Sequence, residues 1–300
     1  MFRQARISHL PGTVLRHASL SDVKNEALSR RDLVRLAASP RECTIRVTGG
    51  AALMGDSQGL NVGRFLAEAL GGPNCDAAVL AGATMAIDRP LPGLCPVCDT
   101  FNVHCPAHGY GLTKPKPGVM EVLMCLADMK APARTIGLVP TINDLTLYGG
   151  FLMVENNPQD PYYTVVDNRC PICLMLQFST DKPRLTWDDE WRISLDYMEL
   201  LRNEAQHRSL HIAFNGGGVT DRECRHIAAL PSGDNPWNLL LVEDSGRTAQ
   251  ALANDMEFRR EFTHVVSCPK HELATVISQM GFSPSMNEGD HDKKPTPNLW

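Results

Sequence analysis

No run of apolar residues in this chain of 300 approaches the roughly 18 needed to cross a bilayer, which excludes a helical membrane span. The opening stretch MFRQARISHLPGTVLRHASL lacks the unbroken apolar core of a secretory signal, so a cytoplasmic protein is expected. Neither sign of charge is in excess. With 29 Lys and Arg against 34 Asp and Glu, the net charge is −5. That balance gives no reason to expect a nucleic-acid or anionic-membrane partner. There is no solenoid-type internal repeat. The lysine motif of a phosphate-binding P-loop is missing, and GGAALMG (49–55) does not match Gly-x-Gly-x-x-Gly.

What is present is ordinary in bulk. A hydrophobic fraction of 43% and a charged fraction of 21% fit a globular protein with a sizeable core. Apolar runs of strand length alternate with longer helix-like segments. Strands are expected at 43–50, 76–87, 134–141, 162–167, 209–218 (running into a glycine cluster), 237–246 and 263–268, with a further apolar run at 170–178. Helices are expected at 59–72, 118–130, 186–208, 220–230, 247–262 and 270–282. A Gly- and Asn-rich loop is expected from 142 to about Pro161. Strand–helix alternation over most of the chain predicts an α/β, Rossmann-like, mostly parallel sheet with helices on both faces. Residues 1–42 are expected as a partly helical N-terminal segment and 43–282 as the main domain. An insertion at 88–117 and a polar, Pro-rich, disordered tail at 283–300 complete the division.

Sheets of this kind bind ligands at the carboxyl ends of their strands. Three strand ends carry unusual loops: Gly49-Gly50, Asn215-Gly216-Gly217-Gly218, and Asp244-Ser245-Gly246-Arg247. Glycine lets the backbone approach a ligand closely and take positive φ. A following helix start offers unpaired N–H groups that favour a phosphate. Thr220 stands at such a start, with Glu223 one turn in. The plain alternative is that these glycines only make tight strand-to-helix turns, and that Glu223 only favours the helix dipole.

The ordered set of motifs resembles the SLOG superfamily, which contains the LOG and lysine decarboxylase-like proteins. It is nearest the SLOG domain at the N-terminus of TRPM channels and its bacterial relatives. IRVTGGAA (45–52), VLAGATMAI (79–87) with GVMEVLMCLAD (118–128) and TIGLVPT (135–141), YYTVVDN (162–168), and IAFNGGGVTDRE (212–223) with LLLVEDSGRTAQALA (239–253) carry the likeness. The resemblance implies a nucleotide or nucleotide-derived ligand over the strand ends. It would be surrounded by Gly49, Gly50, Ala51, Gly82, Ala83, Gly118, Thr141, Gly216, Gly217, Gly218, Thr220, Glu223, Asp244, Ser245, Gly246 and Arg247. Arg247 would meet a phosphate or ribose as a planar donor. It also implies self-association, so a homodimer is expected.

The chain departs from the hydrolytic members of that group. Their motif Pro-Gly-Gly-x-Gly-Thr-x-x-Glu has Asn215 in place of Pro and Val219 in place of the last Gly, while Thr220 and Glu223 remain. No counterpart of their upstream arginine stretch lies between Asn168 and His211. The acid–base pair is half present, with Glu223 as the one catalytic candidate. Binding or sensing of an NAD- or ADP-ribose-related molecule is therefore the first reading. Cleavage of a nucleotide N-glycosidic bond is the alternative. An interaction subunit with a vestigial pocket is a third.

The 10 cysteines are not spread as a disulfide scaffold. Cys95-x2-Cys98 and Cys105-x2-His108 lie close together in the insertion, and two such pairs of soft ligands can wrap one tetrahedral Zn²⁺. Four protein ligands leave no open position, so the expected zinc is structural. Cys170-x2-Cys173 competes for it, because a TRPM-like topology would bring that loop to Cys95 and Cys98. The plain reading of Cys170 and Cys173 is a pair of buried thiols leading an apolar strand. The single cysteines, Cys224 and Cys268 among them, are expected mostly in the core.

Overall fold

A computed structural model describes residues 14–19, 43–49, 58–70, 77–82, 85–88, 119–131, 133–140, 146–148, 151–154, 162–167, 174–179, 187–230 and 234–282. The strands are β1 (Val14–Ser19), β2 (Cys43–Gly49), β3 (Ala77–Gly82), β4 (Met85–Asp88), β5 (Arg134–Pro140), β6 (Thr146–Tyr148), β7 (Phe151–Val154), β8 (Tyr162–Asp167), β9 (Leu174–Ser179), β10 (Arg208–Phe214), β11 (Trp237–Val242) and β12 (Val266–Cys268). The helices are α1 (Gln58–Ala69), α2 (Met120–Asp128), α3 (Trp187–Ala205), α4 (Gly218–Ala228), α5 (Arg247–Asn254), α6 (Met256–Glu261) and α7 (Leu273–Gln279).

Eight strands form one sheet in the order β1-β9-β5-β3-β2-β10-β11-β12. Every neighbouring pair in it is parallel. Parallel strands need their crossover helices on the faces, which buries both sides of the sheet. Side-chain alternation sorts the core accordingly. Ile45, Val47, Ile212, Phe214 and Leu240 point to one face, where Val62 and Leu66 of α1, Leu123 of α2 and Ile277 of α7 cover them. Ala213, Leu239 and Leu241 point to the other, under Leu195 of α3, Ile227 of α4 and Leu252 of α5. Each fully buried Leu or Ile contributes about 1.5–3 kcal/mol, so packing on the sheet, more than helix propensity, holds these short helices.

The α/β architecture with a parallel sheet agrees with the sequence reading, and four details differ. Segment 162–167 is a strand, as expected, but β8 joins a separate four-stranded sheet, β4-β8-β7-β6, whose pairs are all antiparallel. The expected strand at 76–87 divides into β3 and β4, one in each sheet. The expected loop up to Pro161 contains the hairpin β6–β7. A sequence period of two fits a strand in either sheet, so pattern alone does not choose the partner. The N-terminal segment also contributes more than helix: β1 pairs in parallel with β9 at the sheet edge. The rest of the N-terminal segment 1–42, most of the insertion 88–117 and the tail 283–300 lie outside the described residues.

Candidate functional site

The strand order turns between β2 and β10. From β2 the chain proceeds by α1 to β3 on one side, and α1 lies on one face. From β10 it proceeds by α4 to β11 on the other side, and α4 lies on the opposite face. This is a topological switch point, where the loops after two adjacent strands diverge and leave a crevice at the carboxyl rim. Gly49 and Phe214, the last residues of β2 and β10, are register partners. A Cβ on Gly49 would lie 2.7 Å from the Phe214 carbonyl oxygen. The glycine is thus what allows the two strands to end side by side.

The loops after β10 and β11 are fastened to each other. The Asn215 N–H donates to Ser245 Oγ at 2.8 Å, and Ser245 Oγ donates to the Val242 carbonyl at 2.6 Å. The Ala249 N–H donates to the Asn215 carbonyl at 2.9 Å, and Thr248 Oγ1 donates to the Gly217 carbonyl at 3.2 Å. Both loops need left-handed backbone, at Asn215 (φ 52) and Gly216 (φ 89) in one and Gly246 (φ 90) and Arg247 (φ 47) in the other. Gly217 stands at the N-cap of α4 with no side-chain cap. The guanidinium of the exposed Arg247 lies over it, with Nη2 3.2 Å from where a Cβ would be. An uncapped helix start beside a guanidinium with no ion-pair partner among the described residues is an arrangement that suits an anion.

Beneath these loops lies a buried polar cluster. On β2, Thr44, Arg46 and Thr48 alternate with Ile45 and Val47 and face α3 and α4. Arg46 Nη2 donates to Glu190 Oε2 of α3 at 2.9 Å, and Arg46 Nε donates to Glu223 Oε1 of α4 at 3.2 Å. Thr48 Oγ1 and Glu223 Oε2 are 2.6 Å apart. Ser194 Oγ donates to the Glu190 main-chain carbonyl at 2.9 Å. His211 of β10 brings Nε2 to 3.9 Å from Glu223 Oε1. Arg46 is 2% exposed, Glu190 8%, Glu223 1% and His211 0%.

Burial opposes the charge on Arg46, but Glu190 and Glu223 outweigh it and hold its pKa above the ordinary value. Burial raises the pKa of Glu223, with Glu190 adding and Arg46 opposing. Burial, then Arg46 and His226, drive His211 well below its ordinary value.

Of the sequence-predicted residues, Gly49, Gly82, Gly216, Gly217, Gly218, Thr220, Asp244, Ser245, Gly246 and Arg247 all lie at or just beyond the carboxyl ends of β2, β3, β10 and β11, four consecutive strands. Glu223 lies below them, with both carboxylate oxygens engaged. Gly50, Ala51, Ala83, Gly118 and Thr141 lie outside the described residues. So do Cys95, Cys98, Cys105, His108, Cys170 and Cys173. Among the described residues no group of three or more His, Cys, Asp or Glu side chains could hold a metal. Cys224 is fully buried and Cys268 is 2% exposed. Burial pushes the Cys268 thiol up to about 12, with Glu243, Glu272 and Asp244 adding. Neither thiol is an exposed nucleophile.

Arg46 and Glu190 are the site-adjacent residues that sequence reasoning passed over. The signal for Arg46 was an arginine inside an otherwise buried strand, CTIRVTG. Nothing in the local pattern distinguishes Glu190 from Asp188 and Asp189, its acidic neighbours at the start of α3. A groove of about 700 Å³ lies elsewhere, toward the amino end of β11, lined by Trp191, Leu195, Arg202, His226, Leu230 and Trp237 among others. Arg202 is already committed there: it donates to the Asn235 and Pro236 carbonyls and its guanidinium carbon is 4.4 Å from the Trp237 ring centroid. The switch point at the glycine turns is therefore the better candidate site.

Among the described residues no helix is long and apolar enough to cross a membrane. Comparison of the sequence with protein-family models finds no match, and comparison with curated proteins finds no significant one.

Proposed function

We propose that the chain binds a nucleotide-derived small molecule, NAD- or ADP-ribose-related, over the carboxyl ends of β2, β3, β10 and β11. The observation that carries this reading is the switch point between β2 and β10, where a glycine turn, an uncapped helix start and the exposed Arg247 meet on one rim. In this reading an anionic group of the ligand sits against the first N–H groups of α4 and the Arg247 guanidinium. The rest of the ligand would lie along the strand ends at Gly49 and Gly82.

The state of Glu223 favours binding over hydrolysis. A general acid or base must reach the reacting atoms. This carboxyl is 1% exposed and holds Arg46 and Thr48 instead. Its role in the proposal is to position the first turn of α4. The SLOG relationship and a cytoplasmic setting belong to the same proposal. A structural zinc held by Cys95, Cys98, Cys105 and His108 is its remaining part, supported by the ligand spacing alone. One zinc per chain, lost on Cys98→Ser, is the expected metal content.

The test is thermal stabilisation by ADP-ribose, NAD and AMP, followed by chromatography for released base. Stabilisation without product is expected and should be smaller in Arg247→Ala. Release of base would replace this reading with a glycosidase. No response to any of the three would end it.

A further inference from the structure

The two carboxyls of the cluster under the glycine loops differ in how far their oxygens are engaged. Glu223 accepts from Arg46 Nε at 3.2 Å on one oxygen and from Thr48 Oγ1 at 2.6 Å on the other. Glu190 accepts from Arg46 Nη2 on Oε2 at 2.9 Å, the length of a charge-assisted bond. Its Oε1 has one long contact, 3.3 Å, with Ser194 Oγ. That hydroxyl has a single proton to give, and it donates at 2.9 Å to the Glu190 main-chain carbonyl. Among the described residues Glu190 Oε1 is therefore an acceptor with no committed donor.

The place of that oxygen gives it a use. Glu190 lies in the first turn of α3, which leads into β10 and, as a crossover helix of a parallel sheet, begins at the carboxyl rim. Arg222 Nε and Nη2 donate to Asp188 Oδ1 and Oδ2 at 3.0 and 2.7 Å, which ties this helix start to that of α4, where Gly217 and Arg247 lie. Gly82, the last residue of β3, is half-buried and stands beside the carboxyl. A Cβ there would meet Glu190 Oε1 at 3.8 Å and Cδ at 3.9 Å, and among the described residues beyond its chain neighbours nothing else within 4 Å. Glu190 is 8% exposed, against 2% for Arg46 and 1% for Glu223. It is the charged member of the cluster that is most open to the rim.

We infer that Glu190 reads the sugar of the ligand: its Oε1 accepts a hydrogen bond from a ribose hydroxyl lying across Gly82. This rests on the nucleotide site proposed above and names the part of the ligand that the site selects. An ionised carboxyl only accepts, so its partner is a donor, which a phosphate oxygen is not and a sugar hydroxyl is. Gly82 ends a strand two places from β10 in the sheet, about 10 Å along the rim. That is the reach from a nucleotide's terminal phosphate, held at the start of α4, to its sugar hydroxyls. Arg46 fixes the other oxygen of Glu190, so the reading oxygen is oriented before the ligand arrives.

Calorimetric titration of the full chain with ADP and with 2′,3′-dideoxy-ADP tests it, because the two share base and phosphates and differ only in the sugar hydroxyls. The wild type is expected to bind ADP at least about tenfold more tightly, since the analogue leaves a desolvated carboxylate oxygen unpaired. In Glu190→Ala the two affinities should come within about twofold of each other, with the loss falling on ADP. Glu223 still matches the Arg46 guanidinium in that variant. If it does not fold, Glu190→Gln takes its place: Arg46 holds the amide oxygen, and the preference for ADP should shrink at least about threefold. Equal wild-type affinities for the two ligands overturn the inference and leave the nucleotide site standing, as does a preference that the substitution leaves unchanged. Failure of ADP to bind also overturns it, and failure of ADP-ribose as well ends the nucleotide site.

Discussion

The backbone N–H of Asn215, just past the end of β10, donates at 2.8 Å to the hydroxyl of Ser245, three residues past the end of β11. The Ser245 O–H donates in turn to the Val242 carbonyl at 2.6 Å, and Ser245 is 1% exposed. One hydroxyl therefore joins two strand-end loops. Ser245→Ala leaves a buried N–H without its partner, which costs about 1–3 kcal/mol. A lower midpoint in urea at unchanged m-value is expected, together with weaker ligand binding, because the two loops lose their common register.

Gly216 and Gly246 take similar positive φ, 89 and 90, but differ in surroundings. A Cβ at 216 would stand 2.6 Å from Thr220 atoms, whereas at 246 its nearest neighbour is Asn215 Oδ1 at 3.9 Å. Gly246→Ala should cost only the backbone term, about 1–2 kcal/mol. Gly216→Ala adds a steric clash at the α4 start, so it should be the more damaging by about 1–3 kcal/mol. Equal unfolding midpoints for the two variants would contradict this account of the loop.

Arg247 is exposed, and its guanidinium overlies Gly217. Arg247→Ala should leave unfolding free energy within about 0.5 kcal/mol of wild type. Affinity for an anionic ligand should fall about tenfold, equivalent to about 1.4 kcal/mol, and with a weaker salt dependence. Titration calorimetry at two ionic strengths reads both effects. Stability loss with unchanged affinity would make Arg247 a structural residue.

The buried His211 is held neutral by burial first and by Arg46 and His226 next. Its folded-state pKa is depressed, so its contribution to stability is present above the unfolded value of about 6.5 and lost as pH falls below it, at about 1.4 kcal/mol per pH unit. His211→Gln lacks this ionisation in the unfolded chain, so its Tm should fall less than the wild type's as pH drops below about 6.5, read in a pH series. A parallel profile for wild type and variant would remove His211 from the linkage.

Much of this was legible in the residues. CTIRVTG and RSLHIAF alternate or run apolar in the manner of buried strands, and each is followed by glycines that cannot continue a strand comfortably. Segment 162–167 shows the limit of such reading. YYTVVD has strand character under any partner, and only the pairing of Tyr162 with Asp88 and of Val166 with Leu152 puts it in the antiparallel sheet. Arg46 shows a second limit. The sequence marks it as an oddity within a buried strand, but its partners lie 144 and 177 positions away, and such distances have no signature in local pattern.

The sequence alone determined most elements of the parallel sheet and its helices, and their order, because hydrophobic period, glycine stops and helix-start acids act within a few residues. It also determined that strand-end loops rich in glycine would exist. Only the tertiary structure decided that the order turns between β2 and β10, so that those loops share one rim, and that Glu223 is spent on Arg46 rather than held free. Strand neighbours and ion pairs are settled by the global minimum of packing and desolvation. That minimum depends on contacts between segments far apart in the chain, which no local window contains.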